Sequence, residues 1–581
     1  MPRRTVVAAL LTTVLVGLTA LVPVGAITSR VDDQPRRPAS VSGRAGTSEQ
    51  AHAPRTPVSV QRLTGRPQRP NVVVVMTDDM RDDDLRFMPH VRHLFGDQGV
   101  RFTNSYSPQP LCCPARASFV TGQYSHNHHV WSHAPPYGFQ ALHDSSTLPV
   151  WLQEAGYDTT FLGKYLNGYG VQTLRDGRPS LHYVPPGWDD WRGSVDGGMA
   201  AGSALNGGTY RYYDTTLNVN GRLEPHQGEY QTTLFGRESR EILRSKAGSS
   251  RPFFYWASFV APHHGRPHEA DDPRPVLRSD GTRQVFRNPA RPKRVRGRFD
   301  SVLRQAPGHL GERDVRDKPF FIRDLPPLTS AEQRGVLEDA RQRAEALSVV
   351  DNQVASMMEV LRRTGQLRNT YVVFTSDNGY FLGEHRMRQG KILPYEPSLR
   401  VPLLVRGPGI PHGQVRTDPF TTIDLAPTIL AAAGIRVPAT VDGTSLLDVA
   451  KHGDRGWDRG ILTETGPRSV GSDSEESDNF LVPGGSPSPL RFTLRFSQGV
   501  RTGDYLYVEH ASHERELYDL RTDPREVRNL VDRPAERSVV RLMARELDLL
   551  RNCRGAQCRR PLPAALRTPH PAVALPAGSA D

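Results

Sequence analysis

Residues 71–79 read NVVVVMTDD, four valines and a methionine in unbroken succession closed by a threonine and two aspartates. A strand with one wet face alternates apolar and polar side chains, so an unbroken run fits a strand covered on both faces. That arrangement requires a sheet with helices above and below it. The runs DTTFLGKY at 158–165, PFFYWASFVAPHH at 252–264, TYVVFTSDNG at 370–379 and VPLLVRGPG at 401–409 repeat the pattern. Helical stretches lie between them. The clearest begins with Ser330 and Gln333 as a capping box and carries Val336, Ala340, Ala344, Leu347, Val350, Val354, Met358 and Leu361 on one stripe. Strands alternating with helices predict an α/β sheet flanked on both sides. In such sheets ligands gather just beyond the carboxyl ends of the strands.

Two strand ends are rich in oxygen. The first run closes on Thr77, Asp78 and Asp79, the fourth on Ser376, Asp377, Asn378 and Gly379. Either alone describes a turn. On neighbouring strands they would gather Asp78, Asp79, Asp377 and Asn378 at one edge of the sheet, a donor set suited to a hard cation such as Ca²⁺ or Mg²⁺.

The chain begins with Arg3 and Arg4, an apolar run from Thr5 to Val24 and the small-residue exit Val24, Gly25, Ala26. This is the pattern of a secretory signal peptide over 1–26, and it predicts an exported protein. The run is also long enough to remain uncleaved as a membrane anchor, whereas no later stretch could span a bilayer. Residues 27–69, rich in Pro, Arg, Ser, Gln and Gly, read as a flexible linker. The expected organisation beyond it is a catalytic domain over 70–445, a smaller subdomain over 446–560 and a disordered Pro- and Ala-rich tail over 561–581.

A formal charge of +12 on an exported chain favours sulfated or carboxylated polysaccharides over nucleic acid as partners. Part of the excess lies between Arg283 and Arg304, where Arg287, Arg291, Lys293, Arg294, Arg296 and Arg298 face only Asp300. The segment reads either as a solvated loop or as a guide for a polyanion. Of the four cysteines, Cys553 and Cys558 are spaced for a small disulfide loop. The other two, Cys112 and Cys113, stand side by side in LCCPARASFVTG at 111–122.

Cys112, Pro114 and Arg116, with Thr121 and Gly122 downstream, form a Cys-x-Pro-x-Arg signature, and from Asn71 to Leu530 the chain resembles the sulfatase family. The other motifs follow in the family's order. TDD at 77–79 precedes the signature; GKYLNGYG at 163–170, APH at 261–263, FTSDNG at 374–379, GKILPYE at 390–396 and ELYDLRTDPREVRNL at 516–530 come after it. The GKYLN and FTSDNGY wording is most similar to the N-acetylglucosamine-6-sulfatase branch. The resemblance implies an α/β, alkaline-phosphatase-like sandwich with a large mixed β-sheet flanked by helices, plus a smaller C-terminal α+β subdomain.

It also implies roles. A formylglycine-generating enzyme would oxidise Cys112 to formylglycine, whose hydrated aldehyde attacks sulfur through one hydroxyl and releases sulfate when the other loses its proton. Asp78, Asp79, Asp377 and Asn378, with the group made from Cys112, would bind one Ca²⁺. Arg116 would orient the nucleophile's oxygens, Lys164 would bridge nucleophile and sulfate, and His263 and Lys391 would hold sulfate or assist proton transfer to the leaving alcohol. His264 competes with His263 for its place. Cys113, at the variable position, reads as a small buried side chain.

One feature departs from the family. Many sulfatases carry a histidine two residues after the lysine of the second motif, where this chain has Leu166, then Asn167. His385 is the substitute candidate for a base; its alternative reading is a surface helix residue. The expected function is secreted, calcium-dependent hydrolysis of a sulfate ester on a small molecule or glycan. Phosphodiester or phosphonate-ester hydrolysis on the same fold is the alternative within enzymes, and a catalytically silent polyanion binder is the alternative of another class.

Overall fold

The computed structural model describes residues 69–200, 202–278, 281, 283–466 and 495–568. The signal-like segment 1–26 and all but the last residue of the linker 27–69 lie outside them. Among the described residues no helix is long and apolar enough to cross a membrane.

Ten strands form one mixed sheet: β1 (Asn71–Asp78), β2 (Val100–Phe102), β3 (Asp158–Lys164), β4 (Asp190–Ser194), β5 (Asp214–Val219), β6 (Arg222–Gln227), β7 (Phe253–Pro262), β8 (Thr370–Ser376), β9 (Leu403–Arg406) and β10 (Gln414–Arg416). Their order is β10-β2-β9-β8-β1-β7-β3-β4-β5-β6. The unbroken apolar run β1 takes a central place, parallel to β8 on one side and β7 on the other. Thr77 pairs with Ser376, so the two strands are neighbours and their oxygen-rich ends leave the sheet side by side.

Alternate residues of β1 feed two cores. Val72, Val74 and Met76 pack with Ala117 and Phe119 of helix α1 (Cys112–Thr121) and with Phe161 and Trp256. Val73 and Val75 pack on the other face with Leu234 and Ile242 of α2 (Gln231–Ser245) and with Leu347, Val350 and Val354 of α3 (Ser330–Arg363). Each fully buried valine contributes about 1.5–3 kcal/mol, which is why no polar residue interrupts the run.

Helix α3 is capped differently from the sequence reading. Thr329 is the N-cap: its hydroxyl accepts from the Glu332 N–H at 3.2 Å, and the Glu332 carboxylate accepts from the Thr329 N–H at 2.8 Å. Glu332 wins this place because it is ionised and also pairs with Arg278 and Arg388.

The C-terminal part is a four-stranded antiparallel sheet of β11 (Ile461–Thr465), β12 (Ser497–Arg501), β13 (Tyr505–His510) and β14 (Arg515–Asp519). Helix α4 (Arg537–Leu550) covers it, with Val540, Met543 and Leu547 against Ile461, Val500, Tyr507 and Leu517. Tyr106, Tyr124 and Ile423 join the same cluster, so this subdomain shares a core with the larger part. The Cys553–Cys558 disulfide is present. The expected disorder from 561 onward is corrected for 561–568. Leu562 and Leu566 are buried there, and Trp457 and Thr568 exchange backbone hydrogen bonds of 2.9 and 3.1 Å. The two leucines give this stretch an apolar anchor that a Pro- and Ala-rich composition hides; residues 569–581 lie outside the described part.

Candidate active site

Four strands deliver their carboxyl ends to one edge of the sheet. Asp78 closes β1, Lys164 closes β3, His263 follows β7, and Asp377 and Asn378 follow β8. Cys112 is the first residue of α1, and Arg116, one turn on, shares its helix face. Lys391 arrives from the loop beyond β8. Each of these side chains is buried, none above 2% exposed.

The Cys112 Sγ is the meeting point. It lies 3.2 Å from Asp78 Oδ1 and 3.8 Å from Asp79 Oδ1, and the Lys391 ammonium donates to it at 2.9 Å. Lys391 also donates to Asp79 Oδ1 at 2.6 Å. Arg116 donates through Nε to Asp377 Oδ2 at 2.7 Å, lies 3.4 Å from Asp78 Oδ2, and donates through Nη1 to the Lys164 carbonyl and Ser258 Oγ, both at 2.7 Å. Lys164 is ion-paired with Asp78 Oδ2 and lies 5.0 Å over the Tyr210 ring. His263 donates from Nδ1 to the His264 carbonyl at 2.7 Å, which leaves Nε2 toward Asp79 Oδ2 at 3.7 Å.

Electrostatics follow from that packing. Burial pushes the Cys112 thiol well above its ordinary pKa, and the Asp78 charge adds to the effect. Burial holds His263 well below its usual value despite Asp79, so the ring is neutral. Burial acts to raise Asp79, but Lys391, His263, Arg343 and Lys164 together bring it below the carboxylate range.

The donor set fits a hard cation. Ligand atoms of Asp78, Asp79, Cys112 and Asp377 lie within 4.8 Å of one another. Asn378, which donates to Asp79 Oδ1 at 2.6 Å, keeps a buried amide oxygen without a hydrogen-bond partner. Three clustered carboxylates and an unsatisfied amide oxygen suit Ca²⁺ or Mg²⁺ better than Zn²⁺.

Glycine before Lys164 has a physical cause. Gly163 sits at φ +108°, and a Cβ there would overlap the Ser258 carbonyl oxygen. The close approach of β3 and β7 at this point sets Lys164 beside the ligands of Arg116.

Every site residue expected from the sequence converges except His385. Hydrogen bonds to Glu312 and Glu526 push that imidazole up to about 9 against burial, and it stacks on Tyr395 at 4.2 Å. Its Nδ1 lies 2.9 Å from Glu312 and its Nε2 3.8 Å from Glu526. A protonated, buried ring held by two carboxylates is neither a base nor a surface helix residue. Leu166, at the place of the absent histidine, is buried in the apolar core, as is Cys113.

Sequence reasoning missed Ser258, Tyr210 and Arg343. Arg343 is 1% exposed, donates to the Asp79 carbonyl and lies 4.0 Å over the Tyr380 ring. It stands on α3 three residues after Ala340 and four before Leu347, so a charge on an apolar stripe was the signal. The basic segment divides. Arg291 is buried against Glu269, Asp271 and Glu345, and Arg296 pairs with Glu269 and Asp271. Lys293, Arg294, Arg298 and Arg304 remain exposed.

Clustered carboxylates and an open amide oxygen that fit a cation stand beside buried lysines and an arginine at the carboxyl edge of a mixed α/β sheet, on an alkaline-phosphatase-like fold. The sulfatase family profile matches residues 70–435, and the chain belongs to that family. It is 30% identical over 520 residues to the human N-acetylglucosamine-6-sulfatase, covering 85% of this chain and 86% of that one. It is 32% identical over 523 residues to an arylsulfatase of Volvox carteri, covering 85% and 76%. The chain spans only 51% and 34% of the two relatives named after extracellular sulfatases, from Caenorhabditis elegans and Drosophila melanogaster. A protein solved in complex with its substrate D-glucosamine-2-N,6-O-disulfate shares the fold, with a TM-score of 0.59 at 22% identity over 84% of this chain and 98% of that one.

Proposed function

We propose that this protein is an exported sulfatase that removes sulfate from a sulfated sugar, using a formylglycine made from Cys112 and one bound Ca²⁺. The observation that carries the reading is the convergence of Asp78, Asp79 and Lys391 on Cys112 Sγ, with Arg116 on the same helix face.

The hydrated aldehyde supplies two hydroxyls on one carbon, one to attack sulfur and one whose deprotonation releases sulfate. Asp78, Asp79, Asp377 and Asn378 would hold a Ca²⁺, which would supply positive charge beside the nucleophile and lower the pKa of its hydroxyl. The chain's own residues do the rest. Arg116 fixes Asp78 and Asp377 and adds charge behind the nucleophile. Lys164 and Lys391 donate to sulfate oxygens as negative charge develops at sulfur. Lys391, already shared between Asp79 and Cys112, is the charged donor placed to give a proton to the leaving alcohol. His263, its Nδ1 fixed on a carbonyl, presents Nε2 to the same space and can relay that proton.

Relatives named as N-acetylglucosamine-6-sulfatases and arylsulfatases favour a sulfated sugar, with aryl sulfates as a smaller alternative. Two relatives named as extracellular and the signal-like residues 1–26 favour export. We place the catalytic domain at 70–445 and the subdomain at 446–560, with a formylglycine-generating enzyme as maturation partner. The exposed Lys293, Arg294, Arg298 and Arg304 are the part of the basic segment free to meet a polyanionic substrate.

The test is a substrate panel on protein produced with the formylglycine-generating enzyme. N-acetylglucosamine 6-sulfate and 4-nitrophenyl sulfate should be hydrolysed with kcat/KM at least about 100-fold above a phosphonate monoester or phosphodiester, the margin this reading requires because all three ester classes are tetrahedral monoanions. Faster phosphonate hydrolysis would replace this reading with its enzymatic alternative. No turnover of any ester by modified protein would favour the silent binder.

A further inference from the structure

His264 is a buried imidazole that the chemistry above does not use. It is 6% exposed, and neither ring nitrogen has a hydrogen-bond partner. Buried polar groups are rarely left so, and each such case needs an explanation. Here the backbone of His264 already has a task, because its carbonyl fixes Nδ1 of His263. The ring does not share it. It stacks on the His263 ring at 4.2 Å with 25° between the planes.

A second unsatisfied atom lies nearby. The Tyr210 ring packs against His263 at 4.8 Å, and Asn167 donates from Nδ2 to the Tyr210 hydroxyl at 2.6 Å. The Asn167 Oδ1 is buried and has no hydrogen-bond partner. Two of the open atoms are on His264, stacked on His263, and the third is on Asn167, whose amide holds the Tyr210 hydroxyl while the Tyr210 ring packs on His263.

Their chemistry selects the ligand. Burial, with the Arg287 charge adding to it, holds His264 well below its ordinary pKa, and a neutral ring offers one N–H and one lone pair. Asn167 offers a carbonyl oxygen. A sulfate or carboxylate accepts only, and would leave two of these three atoms facing like partners. Groups that both donate and accept, such as sugar hydroxyls or an acylated amine, satisfy all three.

We propose that His264, with Asn167, forms a recognition subsite for the hydroxyl and amide groups of the sugar that carries the scissile sulfate. The subsite rests on the sugar-sulfatase reading and sharpens it: it separates sugar sulfates from flat aryl sulfates, which have no group to give it. His264 is a specificity residue, and proton transfer stays with Lys391 and His263.

The test compares kcat/KM for N-acetylglucosamine 6-sulfate and 4-nitrophenyl sulfate in wild type, His264→Phe and His264→Asn. Phenylalanine keeps the stacking on His263 and removes both nitrogens. The sugar-over-aryl ratio should fall by roughly tenfold or more in His264→Phe, since a substrate group then loses its polar partner, and recover in part in His264→Asn. Deoxy and deacetylated sugar 6-sulfates should lose the same selectivity on wild-type protein, a measurement that needs no variant to fold. An unchanged ratio in His264→Phe, or deoxy and deacetylated sugars hydrolysed as well as the parent, overturns the subsite alone. Wild-type protein that hydrolyses aryl sulfate and no sugar sulfate overturns the sugar reading and the subsite together.

Discussion

Replacing Cys112 by alanine lowers sulfate-ester turnover by about 10⁵-fold or more, the scale on which loss of a covalent nucleophile is felt, while Cys113→Ser stays within about tenfold of wild type. The two neighbours differ in what surrounds them. Cys112 Sγ touches Asp78, Asp79 and Lys391. Cys113 lies in the apolar cluster with Ala117, Phe119 and Leu166, its sulfur 3.8 Å from the Asn167 carbonyl. A serine there replaces a weak S–H donor with a hydroxyl that can donate to the same Asn167 carbonyl, at the loss of some packing. Both variants should fold, since each changes one small side chain at the start of α1 and keeps the rest of the core; circular dichroism and thermal melting check this beside the rate. Equal loss of activity in two folded variants would contradict the assignment of the nucleophile to Cys112.

Chelation is expected to abolish turnover, with Ca²⁺ restoring it better than Zn²⁺. Three carboxylates share a space in which their ligand atoms lie within 4.8 Å, and the Asn378 amide oxygen has no protein partner. The lysines and arginines nearby offset part of that repulsion but cannot coordinate. A ligand present at about 1,000 times its Kd adds about 4 kcal/mol of stability, so stripping the ion should also lower Tm by a few degrees in a chain of this size. The melting shift separates loss of the ion from inhibition by the chelator. A chelated enzyme that keeps both its rate and its Tm would refute the metal site.

Part of this site was legible in the sequence and part was not, for physical reasons that can be named. The run at 71–79 fitted a strand covered on both faces, and a strand end is where an α/β sheet places its ligands, so Asp78 and Asp377 were readable once both runs were seen. Lys164 and Lys391 came from motif wording, with Gly163 as its structural cause. The capping of α3 was misread by one residue because local spacing cannot weigh the ion pairs Glu332 makes with Arg278 and Arg388. His385 was misread because its partners, Glu312 and Glu526, lie 73 and 141 residues away in the chain. The open nitrogens of His264 are a property of packing, visible only when every neighbour is in place.

The measurement that bears most directly on the account is the chemical state of Cys112 in active protein. Trypsin releases Phe102–Arg116 as one peptide, since no Lys or Arg intervenes, and that peptide holds both cysteines. Cys112 is fully buried in the folded chain, so a modifying enzyme must reach it before folding, in a host that supplies the formylglycine-generating enzyme. Mass spectrometry of the peptide should then find an aldehyde at Cys112, reactive toward carbonyl reagents, and a thiol at Cys113 that can be alkylated. Active protein whose peptide carries two intact thiols, or a Cys112–Cys113 disulfide, would contradict it.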